Sequence, residues 1–346
     1  MRFIILFVAL LSFQSTSASE INELLSKAQS GDSEAMFQLA LYLEESLTKT
    51  EDIGGYVDIL ANSFYEDGIR GQLENRNELG WLEVENWYLQ SAESGNFKAM
   101  TRLGEGTKHE SGGFERDTSW LVEAASSNHP PAQFKLGVNY LQGRMLKDIP
   151  SAHKWLKKAS DNGYSDASVA LGNSLSDKNE ALLYLKKAYI QGTRSASLAV
   201  AGKLVSPPNK DLAEAQSWSD KYIRFVSHGN SISLNEGGLA LNIANELSNG
   251  LKKNDSSLTT IISLYEVSAS TRNNAAMIAL GDIFVDKKNG IHNISKALMW
   301  YNLAAKRGSR EATAKYKKIS KKKSKSDIET SKKAAIDCRT NFYLNC

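Results

Sequence analysis

Apolar and small residues recur along most of the chain with a helical period. Six segments share one pattern: an aromatic, then one or two small residues, then Gly or Asn eight positions beyond the aromatic. Trp87 leads to Ser91-Ala92 and Gly95, Trp120 to Ala124-Ala125 and Asn128, and Trp155 to Ala159-Ser160 and Gly163. Tyr184 leads to Ala188 and Gly192, Tyr265 to Ala269-Ser270 and Asn273, and Trp300 to Ala304-Ala305 and Gly308. The steps 87 to 120, 120 to 155 and 265 to 300 are 33, 35 and 35 residues, and 155 to 184 is 29. A self-similar period of this length is the mark of a stacked helical repeat. Each segment predicts a helix that the final Gly or Asn stops with a left-handed cap.

A second helix follows these endings, with Ala, then Leu four residues on, then Gly. It appears as Ala99/Leu103/Gly104, Ala132/Leu136/Gly137, Ala167/Leu171/Gly172 and Ala276/Leu280/Gly281, with weaker copies at Ala35/Leu39 and Ala196/Val200. Residues four apart share one helix face. Glycine beside them lets a neighbouring helix approach, and packing must offset its cost of about 0.5–1 kcal/mol relative to Ala. Ala152, Ala181, Ala215 and Ala297, each three before an aromatic, play the same small-residue part, and the aromatic is expected to fill the gap between successive pairs. The five prolines fall where helices begin or connect: Pro130-Pro131, Pro150 and Pro207-Pro208. Asp117, Asp148, Asp177 and Asp211 precede helices and read as caps or first-turn acids. No alternating apolar run bounded by hairpin turns stands out, so no strands are expected.

The run from Ala132 through Leu136-Gly137 and Tyr140-Leu141-Gln142-Gly143, followed by Asp148, Ala152, Trp155, Ala159 and Gly163, resembles a Sel1-like repeat, a tetratricopeptide-related α/α repeat. The stretch Ile294–Gly308 is similar to the second helix of that repeat. The resemblance covers roughly residues 79–316, with echoes at 21–68. It implies an all-α fold, a right-handed α/α superhelical solenoid of Sel1-like or tetratricopeptide-like helix pairs, with the core supplied by stacking. Segment 202–258 departs from the pattern: Trp218 is in register, but no clear Ala/Leu/Gly helix follows it. Residues 47–80 carry an insertion. Length alone, 346 residues, would suggest two or three globular domains. The repeat instead predicts one array over 79–316, preceded by irregular helices and first repeats at 19–78 and followed by a basic helical cap at 317–346.

Residues 1–18 read as a secretory signal peptide: Arg2, an apolar run from Phe3 to Phe13, and Thr16-Ser17-Ala18 suited to cleavage after Ala18. An uncleaved anchor is the alternative, but the run is short for a bilayer. The expected location is therefore the periplasm or the outside of the cell. Cys338 and Cys346 are the only cysteines, and an oxidising compartment would close them into a small disulfide loop. The net charge of +3 hides an asymmetry. Residues 306–346 carry 13 Lys+Arg against 4 Asp+Glu, a local +9, leaving −6 for residues 1–305. The basic end, rich in lysine from Lys315 to Lys325, reads either as attraction to an anionic glycan, a membrane surface or an acidic partner, or as a solvated capping helix. Sparse aromatics there and an export signal argue against nucleic acid.

Chemistry-bearing patterns are weak. His109, His129, His153, His228 and His292 include no i, i+4 pair, and no phosphate loop or nucleophile elbow occurs. Ser151-Ala152-His153-Lys154 and Ser160-Asp161-Asn162 match two motifs of penicillin-binding enzymes but crowd onto one helix, and the third motif is missing. No catalytic residue, metal site or cofactor is expected. In α/α solenoids the partner surface comes mainly from one helix of each pair, which nominates Arg102, Lys135, Asn139, Tyr140 and Asn173 as exposed contacts. The resemblance implies a non-catalytic scaffold for protein partners in the cell envelope. The alternatives are a glycan- or peptidoglycan-associated component and, more remotely, a hydrolase of envelope polymers.

Overall fold

The computed structural model describes residues 18–48, 76–109, 112–250, 255–340, 343–344 and 346. The expected signal peptide lies outside these residues apart from Ala18, and so does most of the insertion at 47–80. Seventeen α-helices lie among the described residues, and the chain divides into two compact units, Met1–Ala167 and Ser168–Cys346.

In the first unit, α1 (Ala18–Gln29) precedes three packed helix pairs. These are α2 (Ser33–Thr48) with α3 (Arg76–Glu93), α4 (Phe97–Glu105) with α5 (Thr118–Ser126), and α6 (Pro130–Gln142) with α7 (Ile149–Asp161). Helix α8 (Ser165–Ser174) runs through the division. The second unit continues with α9 (Lys178–Ile190), then pairs α10 (Ala196–Val205) with α11 (Leu212–Val226), α12 (Leu234–Gly250) with α13 (Asp255–Ser270), and α14 (Asn274–Val285) with α15 (Ile294–Lys306). Helices α16 (Arg310–Ser320) and α17 (Lys325–Thr340) both pack on α15. Each unit has its own apolar core, around Leu39, Trp87 and Leu121 in the first and Leu198, Ile243 and Trp300 in the second.

Local chemistry sets the helix ends. Asp117, Asp148, Asp177 and Asp211 all prove to be N-caps, each carboxylate accepting a backbone N–H of the first turn. Asn96, Asn273, Asn293 and Ser309 do the same for α4, α14, α15 and α16. Each such cap is worth about 1 kcal/mol. Helix α6 has no side-chain cap but starts on Pro130-Pro131, whose fixed φ suits the first turn. The left-handed stop occurs as expected at Gly95 (φ 86°) and Asn128 (φ 66°).

Three expectations need correction. Thr107–His109 and Gly112–Phe114 form a two-stranded antiparallel hairpin between α4 and α5, pairing Thr107 with Phe114 and His109 with Gly112. Strands of three residues are too short to show alternation, so the pattern gave no sign of them. The Ala/Leu helix missing after Trp218 exists as α12, with Ala240, Ala244 and Leu247 buried, displaced by a longer connection over 227–233. At the Tyr265 repeat the stop is Arg272 (φ 67°), and Asn273 instead caps α14. That moves the register by one, so the counterpart of Trp87 is Leu264, and Tyr265 matches Tyr88.

Candidate partner-binding surface

The repeat residues fix what the helix pairs can expose. Gly104, Gly137 and Gly281 each sit on the first helix of a pair, against the second, and Gly172 on α8 faces α9 in the same way. A methyl group at Gly104 would lie 2.9 Å from the Leu121 backbone N, and one at Gly137 2.7 Å from Leu156 Cγ. At Gly172 it would meet Leu185 Cγ at 2.7 Å, and at Gly281 the Tyr301 ring Cδ1 at 2.7 Å. The partner of each glycine is therefore the residue after the patterned aromatic, not the aromatic itself. Trp87 and Trp300 are fully buried, and Tyr184 and Tyr265 nearly so. Trp120 and Trp155 are only half-buried, at the edge of the first core, which corrects the expectation that every aromatic fills the gap between pairs. Lys158 Nζ lies 4.6 Å from the Trp155 ring centre. Ala152, Ala181, Ala215 and Ala297 are fully buried, as their spacing implies. Three tyrosines following this register donate to polar groups of the preceding helix: Tyr88 to Glu44 at 2.7 Å, Tyr265 to Asn245 at 2.8 Å and Tyr301 to Asp282 at 2.6 Å.

The five nominated contact residues separate. Arg102 is not a free surface cation. Its Nε donates to Glu44 Oε2 at 3.0 Å, its Nη2 pairs with Glu44 Oε1, and its Nη1 donates to the Gly106 carbonyl at 3.0 Å. Glu44 is buried, so this is a Tyr88–Glu44–Arg102 network tying α4 to α2 and α3. Burial pulls the guanidinium pKa down, and the hydrogen bond and charge of Glu44 outweigh that, holding it above its ordinary value. Lys135 is engaged with Glu105. Asn139 is buried rather than exposed, because its helix turns that position toward the core. Tyr140 is half-buried, and Asn173 is exposed. Tyr140 belongs to the first unit and Asn173 to the second.

Three buried acids, Glu44, Glu83 and Glu266, escaped the sequence analysis. Glu44 stands beside Glu45 at the end of an apolar run, a weak signal in itself. Glu83 on α3 is almost fully buried, neither of its carboxylate oxygens has a hydrogen-bond partner among the described residues, and burial pushes its pKa up to about 7. Of the histidines, His129 stacks on Phe97 with ring centres 5.5 Å apart, and burial holds its pKa down. Among the described residues no group of three His, Cys, Asp or Glu is placed to hold a metal ion, and no helix is long and apolar enough to cross a membrane.

At the C-terminal end, Cys338 and Cys346 are disulfide-bonded, with Cα atoms 5.3 Å apart. The Tyr343 N–H donates to the Cys338 carbonyl at 2.9 Å, and Tyr343 is buried against the second core. Lys317, Lys318, Lys321, Lys322, Lys323 and Lys325 are exposed. Lys315 is not part of that open set, since it bonds Asp282 at 2.6 and 2.8 Å and pairs with Glu311 at 3.1 Å.

Comparison with known proteins bears on this arrangement. The Sel1 repeat family model matches residues 130–164, 171–193 and 274–309. No curated protein matches the chain by sequence. Among solved structures, a Sel1 repeat protein from Oxalobacter formigenes is similar at 19% identity with a TM-score of 0.54, over 97% of this chain and 93% of that one. The protective antigen c5321 of uropathogenic Escherichia coli, described as displaying an SLR fold, is similar at 19% identity with a TM-score of 0.54, over 93% of this chain and 71% of that one. Three segments of the chain thus match the Sel1 repeat, and they are set among helix pairs of the same fold as those two structures.

Proposed function

We propose that this chain is an exported, non-catalytic scaffold that holds protein partners in the cell envelope. Sel1 repeat proteins generally mediate protein–protein interaction and are generally non-catalytic. The observation that carries the reading is the seam of glycines. Gly104, Gly137, Gly172 and Gly281 commit the inner faces of the pairs to packing, leaving the outer helix faces and loops as the recognition surface. Tyr140 on the first unit and, separately, Asn173 on the second are the nominated contacts still placed for a partner. Export is supported by the apolar leader pattern of residues 1–18 and by the Cys338–Cys346 disulfide, a bond that persists in oxidising compartments. The test is in-cell crosslinking of the tagged chain, with fractionation and partner identification. Recovery in the periplasm or medium, with a mature N-terminus after Ala18 and a reproducible crosslinked protein, is the expected result. Retention in the cytoplasm would sink the export claim, and absence of any crosslinked partner would sink the scaffold claim.

A second reading has its own observation. The exposed lysines from Lys317 to Lys325 present positive charge at one end of the second unit, suited to an anionic glycan or membrane surface. Co-sedimentation with purified sacculi and with anionic vesicles tests it. Replacing four of these lysines by Gln should abolish sedimentation, and unchanged sedimentation removes the reading.

A further inference from the structure

The second unit carries a cationic pocket that neither the repeat pattern nor the basic tail accounts for. Tyr189, Arg194, Lys221, Arg224, Phe225 and His228 line a cavity of about 230 Å³. Lys221 and Arg224 are on α11 and His228 lies just past its end, at i, i+3 and i+7, so they share one face of that helix and its continuation. Arg194 reaches the same place from the connection between α9 and α10. The sequence signal, Lys221-x-x-Arg224-x-x-x-His228, was present but is a common spacing for any solvated helix face.

The geometry is more than a charged surface. Tyr189 and Trp218 meet edge to face with ring centres 5.2 Å apart. Lys221 Nζ sits 3.5 Å from the Trp218 ring centre and 5.5 Å from that of Tyr189, and Arg194 Cζ lies 4.8 Å from Tyr189. These ring contacts hold the two cations against aromatic faces, of which Tyr189 lines the cavity. The two acids of α11 have their nearest hydrogen-bond partners elsewhere. Glu214 binds Lys186 at 2.7 Å and accepts from Trp218 Nε1 at 3.1 Å, and Asp220 accepts from Thr260 at 2.6 Å. Arg194, Lys221 and Arg224 form no ion pair among the described residues. The negative end of α11 is also covered. His228 Nδ1 and Ser227 Oγ donate to the Arg224 carbonyl at 2.6 and 2.9 Å, and Asn230 Nδ2 donates to the Phe225 carbonyl at 2.7 Å. Glu214 is shared between Lys186 and the field of Lys221, so positive charge is in excess here, beside apolar ring surface.

We propose that this pocket binds an acidic segment of a protein partner, its carboxylates meeting Arg194, Lys221 and Arg224 and an adjacent apolar side chain resting on Tyr189 and Phe225. The cavity is below the roughly 300–1,000 Å³ of a cofactor or drug-sized site and fits one or two side chains of a peptide. The rings of Tyr189 and Phe225 favour a ligand with an apolar part over a simple polyanion. The proposal deepens the scaffold reading and rests on it for the partner being a protein.

The probe is a fluorescein-labelled peptide, Gly-Glu-Leu-Glu-Phe-Glu-Gly, titrated with the full chain at low salt and followed by anisotropy. The Gln counterpart of the peptide is expected to bind about ten-fold more weakly or worse. The Arg194→Gln/Arg224→Gln variant should lose a similar factor while keeping the wild-type circular dichroism and melting curve, since both side chains are exposed. Lys322→Gln/Lys323→Gln, which removes the same charge from the tail, should bind as wild type does. Equal binding of the Gln peptide, undiminished binding by the Arg variant, or equal loss in the tail variant overturns the proposal. So does inorganic phosphate binding more tightly than the peptide. Peptide binding without any crosslinked partner in cells would sink the scaffold reading alone. Crosslinked partners with no peptide binding would sink the pocket alone.

Discussion

Replacing Gly104 by Ala tests whether the glycine seam sets the packing of a helix pair. The new methyl would lie 2.9 Å from the backbone N of Leu121 and 3.0 Å from its Cα, closer than the 3.4 Å at which ordinary contact begins. The obstacle is main chain, so no side-chain rotation clears it, and α5 must move outward or α4 must bend. Overpacking of this kind costs about 1–3 kcal/mol, while Ala returns about 0.5–1 kcal/mol over Gly in a helix. The expected net loss is about 1–2 kcal/mol. Gly238 is the internal control: it is also helical, but a methyl there meets nothing within 4 Å. Gly238→Ala should therefore gain about 0.5–1 kcal/mol. Urea titrations followed by circular dichroism, with tryptophan fluorescence as a second probe, read both variants. Gly104→Ala should move the transition of the first unit and Gly238→Ala that of the second. A Gly104→Ala midpoint at or above wild type would refute the reasoning, because the propensity gain would then be unopposed.

Glu83 gives a pH prediction. Its folded pKa of about 7 stands above the ordinary 4.5, so the native state binds the extra proton between those values. Stability from this group is full below about 4.5 and is lost as pH rises through about 7, in all roughly 3 kcal/mol. Glu83→Gln should flatten that slope, and thermal melts at about pH 5 and pH 8 in both proteins check it. Arg102→Met leaves the Glu44 carboxylate buried without its cation and should cost about 2–3 kcal/mol, read as a lowered denaturation midpoint of the first unit. Cys338→Ser opens a loop of eight-residue separation, and the chain-entropy estimate is a loss of roughly 2–3 kcal/mol. The wild type under reductant should match that variant in a thermal melt, and a reductant-insensitive melt would count against it.

Features that depend on one side chain and its own neighbours were legible in the sequence. The caps at Asp117, Asp148, Asp177 and Asp211 are of this kind, because an N-cap needs only one acceptor at one position. The alanines and glycines of the repeat were legible too, but their partners were not. Which side chain fills the space above Gly104 depends on how the second helix is rotated, and the answer is Leu121 rather than the more conspicuous Trp120. The register at Tyr265 was misread because the stop falls on Arg272, a residue no pattern would select for a positive φ. Arg102 read as exposed because the acid that claims it is 58 residues away. Asn139 failed for a similar reason: a polar residue at a core-facing helical position looks like a surface one until the neighbouring helix is known.

The glycine seam has a mechanical consequence. Within a pair such as α6 and α7, the helices pack so closely at Gly137 that even an added methyl would meet Leu156 Cγ at 2.7 Å and the Ala152 carbonyl at 3.2 Å. Each pair then behaves as a stiff tile, and compliance is left to the joints between tiles. A pull on either unit should open it joint by joint, with force peaks spaced by one repeat, and not stretch it as a uniform spring.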